Sequence, residues 1–480
     1  MNCAHLIVKC LFFAVVTRAC TLAEADESPV VLKQNGGWCW FQGERALVVD
    51  HRLVFTSIAG DDGAGWDAGD LVATMHDVTT GRTTHFELHD RLQRDDHDVA
   101  GLLALTDGRL LAIYGKHGSD PLQRWRITQR PADIDSWTAE QTLDVGSGYT
   151  YSNVFRLEEE RGRLYNFHRG LGYHPNCTVS DDGGRSWRYG WRLFEWTRED
   201  LAGDPRYTGM DGRRPYVRYA GNGRDVIHFI TTDDHPRAYD NSIYHGYYRG
   251  GKLYRSGGAV AGTPGNDGRS QLKPRDFTEL FRGGPDGVAW TTDLRLDAGG
   301  HPYVAFSVQR DGQRTRTLRR GDGGLDHRYH YARWDGNRWQ VQEIAYAGTR
   351  LYAGEDDYTG LVALDPHDPG TVFIATNADP RTGQPLISQA DGRRHWEIFQ
   401  GQGTRHNGGV EWDWTPITRN STLDNLRPLV PIYPGGPRLV LWARGELKSF
   451  TDYRLDIVLL RQPRGEMAKS SSRTEKATPP

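Results

Sequence analysis

The feature that most constrains the fold of this chain is a strand–turn–strand unit that recurs along it. Each copy has a short apolar strand, a turn containing Gly or Asp, a second apolar strand and a polar residue at its end. Two apolar runs joined by such a turn predict a β-hairpin. The seven copies occupy residues 45–60, 97–117, 151–170, 214–235, 291–310, 359–379 and 426–445.

The spacing of the copies indicates four strands in each unit. Residues 35–464 supply roughly sixty residues for each of seven copies, which suits a four-stranded blade with generous loops. We therefore predict an all-β protein, a seven-bladed β-propeller over residues 35–464, with a two-sheet sandwich as the competing architecture. Residues 256–286 form the longest irregular stretch and predict a loop over one face.

One segment is typical of propellers on independent grounds. Ser180, Asp182, Gly184 and Trp187 follow the Asp-box pattern S-x-D-x-G-x-x-W. In such a turn, the Asp and Gly satisfy the backbone between two outer strands, and the Trp packs between blades. The motif marks a fold and carries no catalytic group.

Composition restricts the partners of the protein. The chain contains 57 Gly, 22 Tyr and 15 Trp, which favours short strands joined by tight turns. Its formal charge of −3 gives no basic surface for nucleic acid. An anionic substrate is still compatible with this charge, because a local cluster of Arg and His could hold one.

The two termini differ from the repeated region. Residues 1–25 contain Lys9, the apolar run CLFFAVV and the small-residue end Ala23-Glu24-Ala25, which predicts a signal peptide and a secreted or periplasmic protein. A frayed tail and a lipoprotein site at Cys20 are the alternatives. The apolar run is too short to span a bilayer, so we expect no membrane span. Residues 465–480 are polar and predict a disordered tail.

Only two cysteines follow the predicted signal peptide. Cys39 and Cys177 are far apart in the chain, and neither has the spacing of a zinc site. Export would permit a disulfide between them. Two buried free thiols explain them equally well, so both alternatives stay open.

The strand directions predict where the functional side chains lie. In a propeller the first strand of each blade lines the centre, and the second strand runs antiparallel to it. The starts of first strands and the ends of second strands therefore meet at one rim. The polar residues at these positions are His97, His117, Tyr151, Arg169, Arg214, Tyr216 and His235, with Arg310, Arg427 and Arg444 from later blades.

This set of side chains suits proton removal from an anion. Imidazole exchanges protons near neutral pH, and a tyrosine acts as a base if nearby cations lower its pKa. Arginine offers a planar fork for a carboxylate or sulfate. Each residue also has an ordinary structural explanation as a turn cap, a core side chain or an ion-pair partner. Their coincidence at one rim favours the functional interpretation.

The order of motifs along residues 36–462 resembles that of the BNR-repeat polysaccharide lyases. These are seven-bladed propellers that include ulvan lyases and rhamnose–glucuronate lyases. The matching segments are GGWCWFQ (36–42), DDHDVAG (95–101), KHG (116–118), YTYSN (149–153), FHRG (167–170), the Asp box, RRPYVRY (213–219) and HP…NSIYHGYY (235–248).

The resemblance implies β-elimination at a uronic acid in an anionic polysaccharide of the ulvan or arabinogalactan type. It implies catalytic roles for His97, His117, Tyr151 and Arg169. We assign substrate binding to Arg214, Tyr216, His235 and His245. If the turn at 158–160 is longer than in relatives, Tyr149 takes the place of Tyr151. No cofactor is required for this chemistry, a structural metal ion of unknown ligands is compatible with it, and we expect a monomer.

Two other functions fit the same fold. Asp boxes also occur in sialidase-type glycoside hydrolases, for which Glu355, Asp356 and Asp357 are the best candidate carboxylates. A glycan-binding propeller without catalysis is the third hypothesis. Loops at 199–213 and 256–286 are expected to set polymer preference.

Overall fold

The computed structural model describes residues 28–207, 214–312, 323–406 and 409–464. These ranges form seven separate antiparallel sheets, which confirms the predicted all-β, seven-bladed propeller and excludes a two-sheet sandwich. The predicted signal peptide (1–25) and tail (465–480) lie outside the described residues.

The strands are short and mostly buried, as alternating apolar runs between glycine turns predict. In chain order they are β1 (Val30–Lys33), β2 (Ala46–Val49), β3 (Arg52–Ile58), β4 (Leu71–Asp77), β5 (Thr83–His89), β6 (Gly101–Ala104), β7 (Leu110–Tyr114), β8 (Leu122–Ile127), β9 (Gln141–Asp144), β10 (Thr150–Leu157), β11 (Arg163–Arg169), β12 (Pro175–Ser180), β13 (Arg188–Arg192), β14 (Val217–Gly221), β15 (Ile227–Thr232), β16 (Ile243–Arg249), β17 (Lys252–Arg255), β18 (Val260–Gly262), β19 (Thr278–Phe281), β20 (Val288–Leu296), β21 (Pro302–Gln309), β22 (His327–Trp334), β23 (Trp339–Gly348), β24 (Val362–Leu364), β25 (Thr371–Thr376), β26 (Glu397–His406), β27 (Gly409–Pro416), β28 (Asp424–Leu429), β29 (Arg438–Ser449) and β30 (Asp452–Gln462).

Within the described ranges, helical structure is confined to short pieces between strands. One α-helical turn, α1, spans Arg198–Leu201, and 3-10 turns span Asp96–Asp98, Glu158–Glu160, Leu171–Tyr173 and Pro274–Asp276. Two of these turns, Asp96–Asp98 and Leu171–Tyr173, lie at the rim where the candidate side chains meet.

Each blade is a meander whose first strand is innermost. Blades one, two and three are β2–β5, β6–β9 and β10–β13, and blades five and six are β20–β23 and β24–β27. The first strands of consecutive blades contact one another from β2 through β6, β10, β14, β20 and β24 to β28. The strand directions on which the predicted rim depends are therefore present.

Blade seven closes the ring by joining the two ends of the described chain. It consists of β28, β29 and β30, with β1 paired antiparallel to β30 as the outermost strand. Val30 lies opposite Leu459 in this pair. The propeller thus includes residues ahead of the predicted start at residue 35, because β1 supplies a strand that the seventh hairpin lacks.

Blade four differs from the prediction for residues 256–286. It contains β14–β18 in order, and β19 adds to the free part of β16, which makes six strands. The stretch predicted as an irregular loop therefore contributes β18 and β19 to the sheet. Glycines and polar residues interrupt the apolar pattern there, which hides two short edge strands from a sequence interpretation.

The Asp box forms the predicted turn between β12 and β13. Ser180 Oγ donates to Asp182 Oδ1 at 2.9 Å, and the Gly184 N–H donates to Ser180 Oγ at 2.9 Å. Trp187 packs with Leu111 of blade two and Leu164 of blade three. Its indole therefore fills the space between neighbouring blades, as expected for a fold marker.

A segment without regular strands, residues 36–44, fills the centre of the ring. Trp38, Cys39, Trp40 and Phe41 are all at most 1% exposed. The segment is tied to blades three, five and seven by hydrogen bonds from Trp38 Nε1 to Arg427 O (3.2 Å), Trp40 Nε1 to Thr291 O (3.1 Å) and Asn153 Nδ2 to Phe41 O (2.8 Å). The rim residues consequently pack against this buried segment, and they do not surround an open central channel.

Two further expectations concern the described residues. Cys39 and Cys177 are both buried free thiols, so the disulfide alternative is wrong. Within the described ranges, the structure contains no helix with the length and apolarity needed to cross a bilayer.

Candidate active site

Two of the predicted catalytic residues, His97 and His117, share one carboxylate. His97 Nδ1 donates to Asp95 Oδ1 at 2.7 Å, and His117 Nδ1 donates to Asp95 Oδ2 at 2.8 Å. The two rings stack with centroids 4.2 Å apart and planes 14° apart, and Phe450 packs edge-on against both. Because a carboxylate only accepts, each imidazole carries its proton on Nδ1. The Nε2 atoms are then the positions available for acid–base chemistry.

The two histidines differ in exposure and in charge. The His97 side chain is 1% exposed, whereas that of His117 is 19% exposed. Burial opposes the charge on His97, but the acidic groups around it, which include the carboxylates of Asp95 and Asp96, raise its pKa well above the usual histidine value. Burial and the neighbouring His97 lower the pKa of His117 to about 4, although Asp95 acts in the opposite direction. The surroundings of the pair therefore favour the charged form of His97 and the neutral form of the accessible His117.

The carboxylates beside the histidines also differ in charge. Burial opposes ionisation of Asp95, but His97 and His117 lower its pKa far below the usual range. Asp98 is 1% exposed, and neither of its carboxylate oxygens has a hydrogen-bond partner. Burial and the nearby Asp95 raise the pKa of Asp98, which favours the protonated form of this carboxyl. A third carboxylate, that of Asp96, lies 3.0 Å from His97 Nδ1 and forms an ion pair with Arg427.

Tyr151 reaches the histidines because its strand is bulged. The pairing of β10 with β11 shifts register between Thr150 and Asn153, and Tyr151 adopts a left-handed φ of 65°. A bulge of this kind re-aims a side chain out of the regular alternation. The Tyr151 ring lies 5.7 Å from that of His97 and 5.9 Å from that of His117, measured between centroids.

The expected lowering of the tyrosine pKa is outweighed by burial. Arg169 and His97 do lower the pKa of Tyr151, as the sequence predicts, but desolvation is larger and the net pKa lies well above 10. Tyr151 is only 7% exposed. In the free protein its phenol is therefore protonated and suited to give up a proton, not to take one.

Tyr149, the alternative to Tyr151, lies in the core of blade three. It is 0% exposed, and its hydroxyl hydrogen-bonds with Ser152 Oγ at 2.6 Å and accepts from Asn166 Nδ2 at 2.8 Å. Both partners belong to the same blade. Tyr149 is thus committed to internal packing, and Tyr151 is the tyrosine at the rim.

Arg169 lies at the end of β11, opposite Thr150 at the start of β10, as the strand directions predict. Its guanidinium lies 4.6 Å from the ring centroid of Tyr151, and its Nη1 donates to the Tyr216 hydroxyl at 3.2 Å. Burial opposes its charge, but its surroundings, which include the hydrogen bond to Tyr216, raise its pKa above the usual arginine value. No carboxylate within the described ranges forms an ion pair with Arg169, so the site holds an uncompensated cation.

Tyr216 and His235 extend the cluster along blade four. Their rings are 5.4 Å apart in an edge-on arrangement, and Trp290 of blade five packs against both. His235 Nδ1 lies 3.6 Å from Asp357 Oδ2, and Glu355 pairs with Arg237. The acidic segment 355–357, considered above for a hydrolase, therefore adjoins the same rim.

Among the described residues, three groups of side chains have the donor types of a metal site. They are Asp95–His97–His117, Cys39–Asp96–His97 and His235–Glu355–Asp357, with the ligand atoms of each group within 4.8 Å of one another. The raised pKa of His97 opposes metal binding in the first two groups. One imidazole and two carboxylates in the third group suit a divalent cation, although the Arg237 guanidinium already balances Glu355.

His245, assigned above to substrate binding, lies apart from the other seven residues. It belongs to β16, the third strand of blade four, and its Nε2 and Nδ1 atoms bond with His228 Nδ1 (3.0 Å) and Ser256 Oγ (2.8 Å). Trp339 packs on its ring at 4.9 Å. His245 is therefore an interior packing residue of blade four, because it lies within the third strand and not at the end of the second.

Two residues of the site escaped the sequence interpretation. Asp95, which bridges the histidines, is one of several acidic residues in DDHDVAG, and only the turn geometry distinguishes it. Tyr173 follows β11 in a 3-10 turn, is 47% exposed, and lies 5.9 Å from Arg169 and 4.6 Å from Arg214, measured from the ring centroid to the guanidinium carbon. An aromatic residue four positions after a rim arginine was the available indication.

The comparisons with known proteins identify the family of the chain. A family model described as BNR repeat-containing family member matches residues 38–347, more than half of the chain. The chain belongs to the BNR repeat-containing family. No curated protein matches its sequence.

Solved structures extend the likeness to the whole propeller. A polysaccharide lyase described as a PL25 ulvan lyase bound to -[GlcA(1-4)Rha3S]- matches with a TM-score of 0.61 at 16% identity, over 90% of this chain and 96% of that chain. A second PL25 ulvan lyase structure matches with a TM-score of 0.62 at 16% identity over the same shares. The NanB sialidase of Streptococcus pneumoniae matches at 0.40 and 10% identity, over 90% of this chain and 70% of that chain. At these values the first two show a shared fold, and the third carries no argument.

Proposed function

We propose that this protein is a secreted or periplasmic polysaccharide lyase that cleaves rhamnose–glucuronate-type linkages by β-elimination. One observation carries the proposal. A neutral imidazole (His117), a protonated phenol (Tyr151) and an uncompensated guanidinium (Arg169) lie at one rim. The Tyr151 ring centroid is 5.9 Å from that of His117 and 4.6 Å from the Arg169 guanidinium carbon. The fold shared with an ulvan lyase and the order of motifs support the same class of reaction.

In this proposal His117 is the base and Tyr151 is the acid. His117 Nε2 takes the C5 proton of the uronate, because Nδ1 is held by Asp95. The C5–H electrons form the C4=C5 double bond as the C4–O4 bond breaks, and Tyr151 gives its proton to O4. Transfer of the proton from His117 to Tyr151 then restores both groups. Acid–base help of this kind contributes about 10²–10⁴-fold to the rate.

Arg169 stabilises the charge that develops during proton removal. Loss of the C5 proton places extra negative charge on the C6 carboxylate, and Arg169 is the unpaired cation beside Tyr151 that can receive it. A preorganised donor of this type contributes about 3–4 kcal/mol to the transition state. Tyr216, which accepts from Arg169, orients the guanidinium toward the same point.

His97 has a different role from the one implied by the resemblance. Because its ring is buried and protonated, it does not reach the substrate, and its positive charge keeps His117 neutral. We assign it as a positioning residue. Arg214, Tyr216 and His235 remain the proposed substrate-binding residues. A divalent cation at His235–Glu355–Asp357 would stabilise the fold at the rim but would take no part in the proton transfers.

The test is incubation of the protein with ulvan, arabinogalactan and other uronate polymers. A lyase produces ultraviolet absorbance from the new conjugated double bond. We expect Tyr151→Phe to lose about 10²–10⁴-fold in kcat/KM, while Tyr149→Phe, a buried tyrosine of the same blade, serves as the matched control and retains activity. Folded protein that gives no absorbance on any uronate polymer would refute the proposal.

A hydrolase is the second candidate, on a specific observation. The carboxylate oxygens of Glu355 and Asp357 lie within 4.8 Å of each other, and close carboxylate pairs act in retaining glycosidases. Release of reducing sugar without ultraviolet absorbance, abolished by Glu355→Gln, would favour this function. Binding of polymer with neither product would favour a glycan-binding propeller.

A further inference from the structure

We propose that a cavity between blades six and seven, on the face of the propeller opposite the rim, binds a small ligand that combines an oxyanion with hydroxyl groups. A sugar acid and a sugar phosphate share this chemistry. Arg464 receives the oxyanion, and Gln400 and Gln462 receive hydroxyl groups. The inference goes beyond the proposed function, because it concerns binding without reaction at a place remote from the rim.

The cavity lies where the first and second strands of the later blades are joined. Its volume is about 980 Å³, within the range of about 300–1,000 Å³ in which proteins hold small organic ligands. Its walls are the turns β20–β21, β24–β25 and β28–β29, with residues of β26 and β30. The rim is at the other ends of these strands, and the six residues of β25 alone extend about 20 Å at about 3.3 Å per residue. The cavity is therefore separate from the site proposed above.

Arg464 is a cation in the cavity wall that the protein does not neutralise. Within the described ranges it forms no ion pair, and its Nε and Nη2 atoms are buried without a hydrogen-bond partner. The nearby carboxylate of Asp365 is fully buried and already forms an ion pair with Arg438. Burial lowers the pKa of Arg464, and Arg438 acts in the same direction, whereas Asp365 opposes them. An oxyanion that accepts from Nε and Nη2 would balance this charge and supply both missing hydrogen bonds.

Two glutamines in the same wall offer one free acceptor and one free donor. Gln462 is 5% exposed, and its Nε2 donates to Gln400 Oε1 at 3.2 Å. This bond leaves Gln462 Oε1 buried without a partner, and the Gln400 amide group donates to no other group of the described ranges. A hydroxyl both donates and accepts. An acceptor and a donor side by side therefore suit a polyhydroxylated ligand better than a bare anion.

His367 and three prolines complete the lining. His367 Nε2 accepts from the Tyr433 N–H at 2.9 Å, so the ring proton is on Nδ1, where it can be donated to a ligand. Burial and the neighbouring Arg464 lower the pKa of His367, which favours the neutral imidazole. Apolar surface comes from Pro366, Pro369 and Pro434. A few placed polar groups beside an apolar wall are typical of small-molecule sites.

The experiment is a calorimetric titration of the full chain with sodium glucuronate, glucose 6-phosphate, glucose and inorganic phosphate. It is made in the wild type and in Arg169→Ala, which removes the unpaired cation of the rim. We expect one of the two acidic sugars to bind Arg169→Ala more tightly than glucose or phosphate does, and that sugar identifies the oxyanion. Equal affinity for glucose would overturn the oxyanion site, and equal affinity for inorganic phosphate would overturn the recognition of hydroxyls. Binding to the wild type alone would place the ligand at the rim and overturn the inference.

Further variants in the Arg169→Ala background assign the binding to the cavity. Arg464→Ala should raise the Kd of the bound acidic sugar about 10- to 100-fold, the loss expected for a charge-assisted hydrogen bond. Arg464→Lys keeps the charge without the planar fork and should have an intermediate Kd. Arg82→Ala is the matched control, because Arg82 also forms no ion pair within the described ranges and lines a separate cavity on the same face, between blades one and two. Its Kd should be unchanged, and an equal loss in Arg82→Ala would show unspecific attraction to positive charge.

Gln462→Leu tests the recognition of hydroxyls. It should raise the Kd of the acidic sugar and leave that of inorganic phosphate unchanged, provided that the midpoint of thermal unfolding matches that of the parent. An unaltered Kd for the sugar in Gln462→Leu, Arg464→Ala and Arg464→Lys would refute the site. Since the readout is binding and not turnover, the two proposals fail separately. Cleavage of a uronate polymer by a protein whose cavity binds no acidic sugar overturns this inference and leaves the proposed function standing.

Discussion

The described part of the chain contains two stacked histidine pairs whose surroundings give them opposite properties. His97 and His117 stack at 4.2 Å and share the carboxylate of Asp95. The rings of His228 and His245 stack with their centroids 5.2 Å apart. The two side chains hydrogen-bond to each other at 3.0 Å, and His245 Nδ1 also bonds with Ser256 Oγ. The same side chain is thus used once with a buried negative charge and once without it.

The difference shows that the carboxylate, and not the stacking, creates a titratable pair. Burial lowers the pKa of His228 to about 3 and that of His245 well below 6.5, so both are neutral at neutral pH. At the rim, the negative charge of Asp95 permits one imidazolium beside one neutral imidazole. A buried histidine pair without a carboxylate is a packing element that hydrogen-bonds, and a pair with one can hold a proton.

The largest expected effect separates the two pairs by activity. His117→Ala should lower kcat/KM by about 10²–10⁴-fold, because it removes the proposed base. His245→Ala should leave kcat/KM within about twofold and instead lower stability by about 1–3 kcal/mol, the cost of unpairing a buried polar partner. An ultraviolet lyase assay measures kcat/KM, and denaturant unfolding measures the stability. Loss of activity with unchanged stability in His245→Ala would return that residue to the substrate site.

The next effect concerns the shared carboxylate. Asp95→Asn should lower kcat/KM by about 10²–10³-fold with the fold retained, because an amide no longer fixes both Nδ1 protons or balances the imidazolium. Ser256→Ala is the matched change at the other pair and should not alter catalysis. Equal activity in Asp95→Asn and the wild type would show that the carboxylate does not set the protonation of the pair.

The pH dependence of activity tests the charge assigned to His117. A base must be neutral to accept a proton, and the pKa of His117 is lowered to about 4. As pH falls through this value the base becomes protonated, so kcat/KM should be flat above about pH 5 and then drop about tenfold per pH unit. The raised pKa of Tyr151 keeps the acid protonated throughout this range. An acid limb near pH 6.5 would indicate a histidine with its ordinary pKa.

The smallest effect is on stability and belongs to the blade-four pair. The folded pKa of His228 is lowered from 6.5 to about 3, so between these values the unfolded chain binds more protons than the folded one. Stability should therefore fall as pH drops from 6.5 toward 3. Tm measured across this range should fall less steeply in His228→Phe than in the wild type. An equal slope would mean that His228 titrates alike in both states.

The fold class was predictable from the sequence, because each hairpin shows its own local pattern of apolar runs and glycine turns. The closing strand β1 and the edge strands β18 and β19 were not, since their residues carry no apolar alternation and their pairing partners are distant or out of order. The Asp box was predictable because its hydrogen bonds lie within eight residues of sequence. A structure that is set by a local sequence pattern can be predicted from the sequence, whereas a pairing between distant strands cannot.

The candidate site divides along the same line. The sequence by itself determined that His97, His117, Tyr151, Arg169, Tyr216 and His235 meet at one rim, because period-two strands and antiparallel turns dictate which ends coincide. Only the tertiary structure decided that His97 is buried and His117 accessible, that a bulge turns Tyr151 toward them, that residues 36–44 fill the centre, and that His245 belongs to the packing of blade four. Desolvation and the balance of buried charges depend on neighbours from several blades, and no local pattern encodes them.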